Sequence, residues 1–168
     1  DDNLEPIWFE FKDDYIFDVV AIPVELKIKQ NGIINFINKQ NYIDNWLPEI
    51  GDDCFIIGYP ETFSGPLNTP IWKRGSVATL PLLNFNNKPV FLIDSIGNPG
   101  LSGSPVIGYG HGIHTEKKDK INSNDTFGSW KNFIGIYSGR ISEKGVGSQL
   151  GRIWKKNVID KILINNLK

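Results

Sequence analysis

The stretch "GNPGLSGSPV", Gly97 to Val106, sets Ser102 among glycines and prolines, between two runs of apolar and β-branched residues. Gly100 can take backbone angles that other residues resist, and Gly103 allows close approach on the far side of the serine. Pro99 and Pro105 stiffen the turn. A nucleophilic serine needs such a frame, because backbone N–H groups must converge on a developing oxyanion while Oγ faces the substrate. The N–H groups of Gly100 and Ser102 can both point into one such hole. The same composition also suits a glycine-rich hairpin whose serine merely faces solvent. A G-x-S-x-G elbow fits poorly, since position 104 is Ser and no helix pattern follows.

Outward from that turn, short runs rich in Val, Ile, Phe, Tyr and Trp recur between Gly, Pro, Asn and Asp clusters. The strands expected are Pro6–Glu10, Phe17–Val24, Gly32–Ile37, Cys54–Gly58, Pro70–Leu80, Pro89–Asp94, Ser104–Tyr109, Asn132–Ser138 and Leu150–Lys155. This spacing favours a sandwich or barrel over alternating β/α units. Only "NVIDKILINN" has helical period, with Val158, Ile159, Ile162 and Leu163 on one face. Asn157 suits its N-cap, and Asp160 adds negative charge near the positive end. His111–Trp130 is polar and aperiodic and reads as a long exposed loop. Pro48–Gly51 reads as a junction between two strand-rich halves, residues 1–49 and 50–168.

With 168 residues the chain is long enough for one ordinary self-stabilising core. A formal net charge of −1 supplies no field for nucleic acid or an anionic membrane, so neither is an expected partner. No apolar run approaches the ~20 residues of a spanning helix. One cysteine, Cys54, forbids an internal disulfide and suits either a reducing setting or indifference to redox state; the expected location is cytoplasmic, unless a signal sequence has been removed. It reads as a small buried hydrophobe. His111 and His114, with Glu116 and Asp119 nearby, fall short of the three or four rigid ligands of a zinc site. No metal and no cofactor are expected. The five tryptophans do not interleave with basic residues, which points to packing, not base stacking. The chain lacks methionine even at position 1, which reads as a processed product or a piece of something longer.

"DSIGNPGLSGSPV" resembles the nucleophile segment of trypsin-like serine peptidases, above all the bacterial HtrA-like branch, with its pattern D-x-x-x-N-P-G-x-S-G-G-P. Asp94, Asn98, Pro99, Gly100, Ser102, Gly103 and Pro105 match, and Ser104 stands where the pattern has glycine. "GDDCFIIGYP" (Gly51–Pro60) looks like the opening of the family's second barrel, and "KRGSVATL" (Lys73–Leu80) like its next strand. "FIGIYSGRI" (Phe133–Ile141) is similar to the strand that pairs with bound peptide. "LGRIWKKNVIDKIL" is similar to the last strand and C-terminal helix. "FDVVAIPV" (Phe17–Val24) resembles the segment bearing the catalytic aspartate, which falls on Asp18. The resemblance implies an all-β, chymotrypsin-like double barrel, the second complete over 50–168 and the first truncated over 1–49, with a C-terminal helix. It implies a serine endopeptidase with Ser102 as nucleophile, Asp18 as triad acid, and Gly100 and Ser102 as oxyanion hole. Ile96, Gly97, Tyr137, Ser138 and Gly139 become the walls of a neutral, modest substrate pocket suiting small or aliphatic side chains.

The departure from the family is the base. Chymotrypsin-type order runs His, Asp, Ser, and no histidine precedes Asp18. His111 and His114 both follow the serine. Either a missing upstream segment or another chain supplies the histidine, or the protein is an inactive, protease-like module that binds peptides by adding a strand to Phe133–Gly139. The expected partners are accordingly a peptide or protein substrate and that missing segment.

Overall fold

The computed structural model describes residues 7–11, 17–25, 37, 46–114, 126–143 and 146–166. Six strands are formed: β1 (Asp53–Gly58), β2 (Ile71–Val77), β3 (Val90–Asp94), β4 (Pro105–His114), β5 (Thr126–Glu143) and β6 (Val146–Lys155). One helix follows, α1 (Lys156–Asn166). All neighbouring strands are antiparallel, and the sheet closes on itself in the order β1-β2-β3-β6-β5-β4. Closure removes the open edges that a flat sheet would expose.

The alternation that marks a half-buried strand is plain in β1, where Cys54, Ile56 and Gly58 are buried and the residues between them are less so. β3 is apolar on both faces for a reason. Phe91 and Ile93 point into the barrel with Ile56, Val106 and Ile153, whereas Val90 and Leu92 lie on its outside. That outer face joins Trp154 of β6 with Val158 and Ile162 of α1 in a second apolar cluster. The barrel is thus packed from within, and α1 covers one of its sides.

Residues 7–11 and 17–25 complete that covering. Phe9 and Ala21 exchange two backbone hydrogen bonds, 2.7 and 2.9 Å, and tie the two segments into a ribbon. Phe11 stacks on Phe17 at 5.3 Å between centroids, and Phe17 meets the Trp154 ring edge-on at 5.6 Å. Asn166 Nδ2 donates to the Glu10 carbonyl at 3.1 Å, so the end of α1 also holds the ribbon. The expected strands Pro6–Glu10 and Phe17–Val24 are therefore extended segments joined by this single bridge over their described residues. Gly32–Ile37 lies outside the described residues except for Ile37.

Several boundaries differ from the sequence expectation: β2 is shorter at both ends, β5 runs past Ser138 to Glu143, and β6 already starts at Val146. His111–His114 and Thr126–Trp130 are strand, not loop: they pair with each other beyond Tyr109, where β4 loses β1 as a neighbour. Residues 115–125 of that expected loop lie outside the described residues. α1 starts at Lys156, so Asn157 sits inside the helix and Asp160 falls beyond its first turn. The reason is that β6 stays paired up to its last residues, with the Lys155 N–H donating to the Pro89 carbonyl at 3.1 Å, which leaves no room for a cap. The junction expected at Pro48–Gly51 is a turn, with the Asp52 N–H donating to the Glu49 carbonyl, that leads into β1.

Cys54 is fully buried in the barrel. Burial, with a smaller contribution from the neighbouring Asp53 carboxylate, pushes its thiol up to about 12. At pH 8 iodoacetamide should leave Cys54 of the folded protein unmodified by mass spectrometry, while the urea-unfolded chain alkylates fully. Trp154→Ala removes the residue shared by β6, α1 and the ribbon. It should cost about 3–5 kcal/mol in urea unfolding.

Candidate functional site

Four of the five connections in the barrel join neighbouring strands. The fifth, between β3 and β4, cannot, because β3 lies between β2 and β6 while β4 lies between β5 and β1. Residues 95–104 therefore cross the barrel mouth, and Ser102 sits on this crossing. Leu101 is its anchor: fully buried, it inserts into the interior cluster beside Val106 and Tyr137. Gly100 and Ser102, on either side of it, are exposed. The alternation turns both of their peptide groups outward over a plug that cannot move without opening a cavity.

Hydrogen bonds fix the rest of the turn. The Gly103 N–H donates to the Tyr137 carbonyl at 2.8 Å, and the Tyr137 N–H donates to the Ser104 carbonyl at 2.9 Å, so the turn is sewn to β5. On its other side the Glu61 N–H donates to the Pro99 carbonyl at 2.8 Å. Across a trans peptide the N–H points opposite to the C=O, which aims the Gly100 N–H away from Glu61. Neither the Gly100 nor the Ser102 N–H has a hydrogen-bond acceptor among the described residues. Gly100 holds φ +88°, and a Cβ there would stand 2.8 Å from the Tyr59 carbonyl oxygen, so only glycine fits. Ser104, which stands in place of a glycine in the resembled pattern, is accommodated by Gly58: its Oγ lies 2.2 Å from where a Gly58 Cβ would be.

Ser102 and Asp18 line one cleft of about 670 Å³. The ribbon residues Asp18–Ile22 form one wall, and Ile136–Ser138 of β5 with Ile159 and Ile162 of α1 form the other. Asp18 is the one charged residue among the described residues lining it. Ser138 faces it too, and its buried Oγ has no hydrogen-bond partner among the described residues. A Cβ on Gly139 would stand 3.8 Å from Ser102 Oγ, so the serine lies over the Ser138–Gly139 backbone. From Ser138 onward β5 has β6 on one side and no β4 on the other, because β4 pairing ends at Pro105–Ile136. That edge runs away from Ser102 beyond the reach of β4.

The remaining wall residues behave differently. Ile96 is exposed, Gly97 is buried, and neither lines the cleft. The Tyr137 ring, 1% exposed, runs between Gly97 and Gly151: its hydroxyl is 1.6 Å from a Gly97 Cβ position and its Cε2 2.7 Å from a Gly151 one. The space those residues would enclose is filled by Tyr137 itself. Burial pushes its phenol up, with Arg140 opposing the shift. His111 does not line the cleft either; at ~3.3 Å per residue it lies roughly 20 Å along β4 from Pro105 and packs edge-on against Phe127, and the His114 side chain lies outside the described residues.

Two residues of the site have no signal of their own in the sequence. Leu101 shows only as an apolar residue within a polar turn, and Glu61 is distant along the chain. The Glu61 carboxylate accepts from Asn98 Nδ2 at 3.0 Å, bracing the turn from outside. The arrangement can hold a carbonyl oxygen on two amides beside a hydroxyl nucleophile; no group that could take the hydroxyl proton lines the cleft except Asp18. Comparison with protein-family models, with curated proteins and with solved structures gave no match. No helix of the described residues is long and apolar enough to cross a membrane. Leu101→Ala should cost about 2–5 kcal/mol in denaturant unfolding, and amide exchange at Gly103 and Ser104, whose N–H groups are hydrogen-bonded, should quicken more than in β3.

Proposed function

We propose that this chain is the nucleophile-bearing part of a serine endopeptidase of the trypsin-like kind, with Asp18 orienting a histidine contributed from outside these 168 residues. One observation carries the reading: Ser102 and Asp18 line the same cleft, next to two open amides on an anchored turn. Ser102 Oγ adds to the peptide carbonyl carbon, its proton passes to the imidazole, and the carbonyl electron pair moves onto oxygen between the Gly100 and Ser102 amides. Collapse breaks the C–N bond and the amine departs with that proton, leaving an ester on Ser102. Water then hydrolyses the ester and restores the serine.

In this reading the closed barrel and α1 correspond to the second barrel and final helix, residues 50–168, and the ribbon belongs to what the chain holds of the first. The orphaned Ser138 hydroxyl is placed to meet a polar group entering the cleft. The acyl half of a substrate lies along β5 from Ser138, as an added strand. Because Tyr137 fills the space between Gly97 and Gly151, the side chain next to the scissile carbonyl is small and uncharged. A serine without its base retains only the roughly 10³–10⁴-fold advantage over water that binding and the oxyanion hole confer.

A second reading, a peptide-binding module without catalysis, is favoured by one observation: no histidine lines the cleft among the described residues. Free imidazole separates the two. In the endopeptidase it should enter the cleft, accept the Ser102 proton and raise fluorophosphonate labelling of Ser102 about tenfold or more, with saturation. Ser102→Ala should abolish labelling, and Asp18→Asn should weaken the imidazole effect. Labelling that stays negligible at any imidazole concentration, with a peptide still bound along Ser138–Glu143, decides for the module.

A further inference from the structure

Beyond Gly100, on the side away from β5, lies a second groove of about 680 Å³ lined by Tyr59, Glu61, Thr62, Ser64 and Asn68 with the Pro99–Gly100 peptide. Gly100 lines this groove, two residues from Ser102 of the cleft: its N–H points away from Glu61, and a Cβ on it would meet the Tyr59 carbonyl. A peptide whose carbonyl rests on the Gly100 and Ser102 amides, and whose one half runs along β5, must leave across this groove. We propose that the groove is a recognition site for a lysine or arginine side chain on the leaving half of a bound peptide, with Glu61 as its selecting residue. The inference rests on the site reading above and adds the charge preference to it.

Three features support it. Glu61 is exposed and has no cationic partner among the described residues. Its Oε1 is held by Asn98 Nδ2 at 3.0 Å, which fixes the carboxylate and leaves Oε2 without a described donor. Tyr59 is half-exposed with its hydroxyl tied to the Asn68 carbonyl at 3.0 Å, so its ring is a fixed wall against which an ammonium or guanidinium can lie. The turn that presents these groups is itself strained. Glu61 and Thr62 hold φ of +50° and +68°, a region that non-glycine residues adopt only when surrounding contacts impose it. Here the contact is the Glu61 N–H bond to Pro99, which couples the position of the carboxylate to that of the Gly100 amide.

The test uses alanine hexapeptides carrying a single lysine at each position in turn, with leucine and glutamate counterparts, titrated into the chain and followed by amide NMR shifts. At one or two positions lysine should bind roughly three- to fivefold tighter than leucine and shift amides of Tyr59–Asn68. The gain should vanish in Glu61→Gln, which can still accept from Asn98, and in high salt with the unaltered chain. Glu61→Lys should transfer the preference to the glutamate peptides. Peptides that shift Ser138–Glu143 with no charge preference at any position overturn this inference and leave the site reading standing. Peptides that shift neither segment overturn both.

Discussion

The pairing of β1 with β4 is the constraint on which the remainder depends. Four residues of β1, Asp53 to Ile56, bond to β4 on one side while β2 occupies the other, and this closes the barrel. A closed barrel has a mouth, and the β3–β4 connection must cross it. Crossing puts backbone over an apolar interior, where unpaired polar groups are costly. The chain meets that cost by sinking one side chain, Leu101, into the interior and turning the flanking amides outward. The same pairing sets Gly58, at the end of β1, under Ser104, and brings the turn after it against Gly100. The stiffness of the Ser102 turn is thus a consequence of how the sheet closes.

The second determinant is the outer face of β3 and β6. Val90, Leu92 and Trp154 form an apolar surface that water would otherwise meet. α1 covers part of it and the ribbon covers more, through Phe9, Phe11 and Phe17. Hydrophobic burial has no direction of its own, but the ribbon is fixed by Phe9–Ala21 hydrogen bonds and by Asn166. Those bonds set where Val19 to Ile22 stand and hence place Asp18 at the rim of the cleft that Ser102 shares. A packing requirement on one side of the barrel thereby supplies the only carboxylate that the described residues bring to the cleft.

Cys54, Lys155 and the Arg74–Asp53 pair lie away from the cleft. Cys54 is deep in the barrel and its thiol is held neutral. Lys155 gives up water for the Leu83 carbonyl and Asn84 Oδ1, at 2.8 and 2.9 Å, and its amine is pushed down by that burial. It pins the loop after β2 to the end of β6 and has no reach to the mouth. Arg74 and Asp53 pair across β1 and β2 at 2.7 Å in an exposed position, worth little to stability.

The sequence by itself determined the β class, the Ser102 turn and most of β1, β2, β3 and β6. Local physics decides these: period-two alternation, β-branched content, and glycines and prolines with few permitted angles. It also determined that α1 is amphipathic, though not where it starts, since β6 pairing runs into the helix without a cap. The ribbon formed by His111–His114 and Thr126–Trp130 escaped because beyond Tyr109 only these two stretches pair, and neither is patterned by a shared core. Only the tertiary structure decided the phase of β5. Val106 faces Gly135 and Ile107 faces Phe133, so Ile134 is an extra residue that resets which side chains point inward and sends Tyr137 between Gly97 and Gly151. The resemblance implied Asp18 and Ser138 beside Ser102, and the tertiary structure lines one cleft with all three while Glu61 braces the same turn. Each is an ordinary residue in its own neighbourhood, and its relation to Ser102 is created by sheet closure and by burial of the β3–β6 face, which act between residues far apart in the chain.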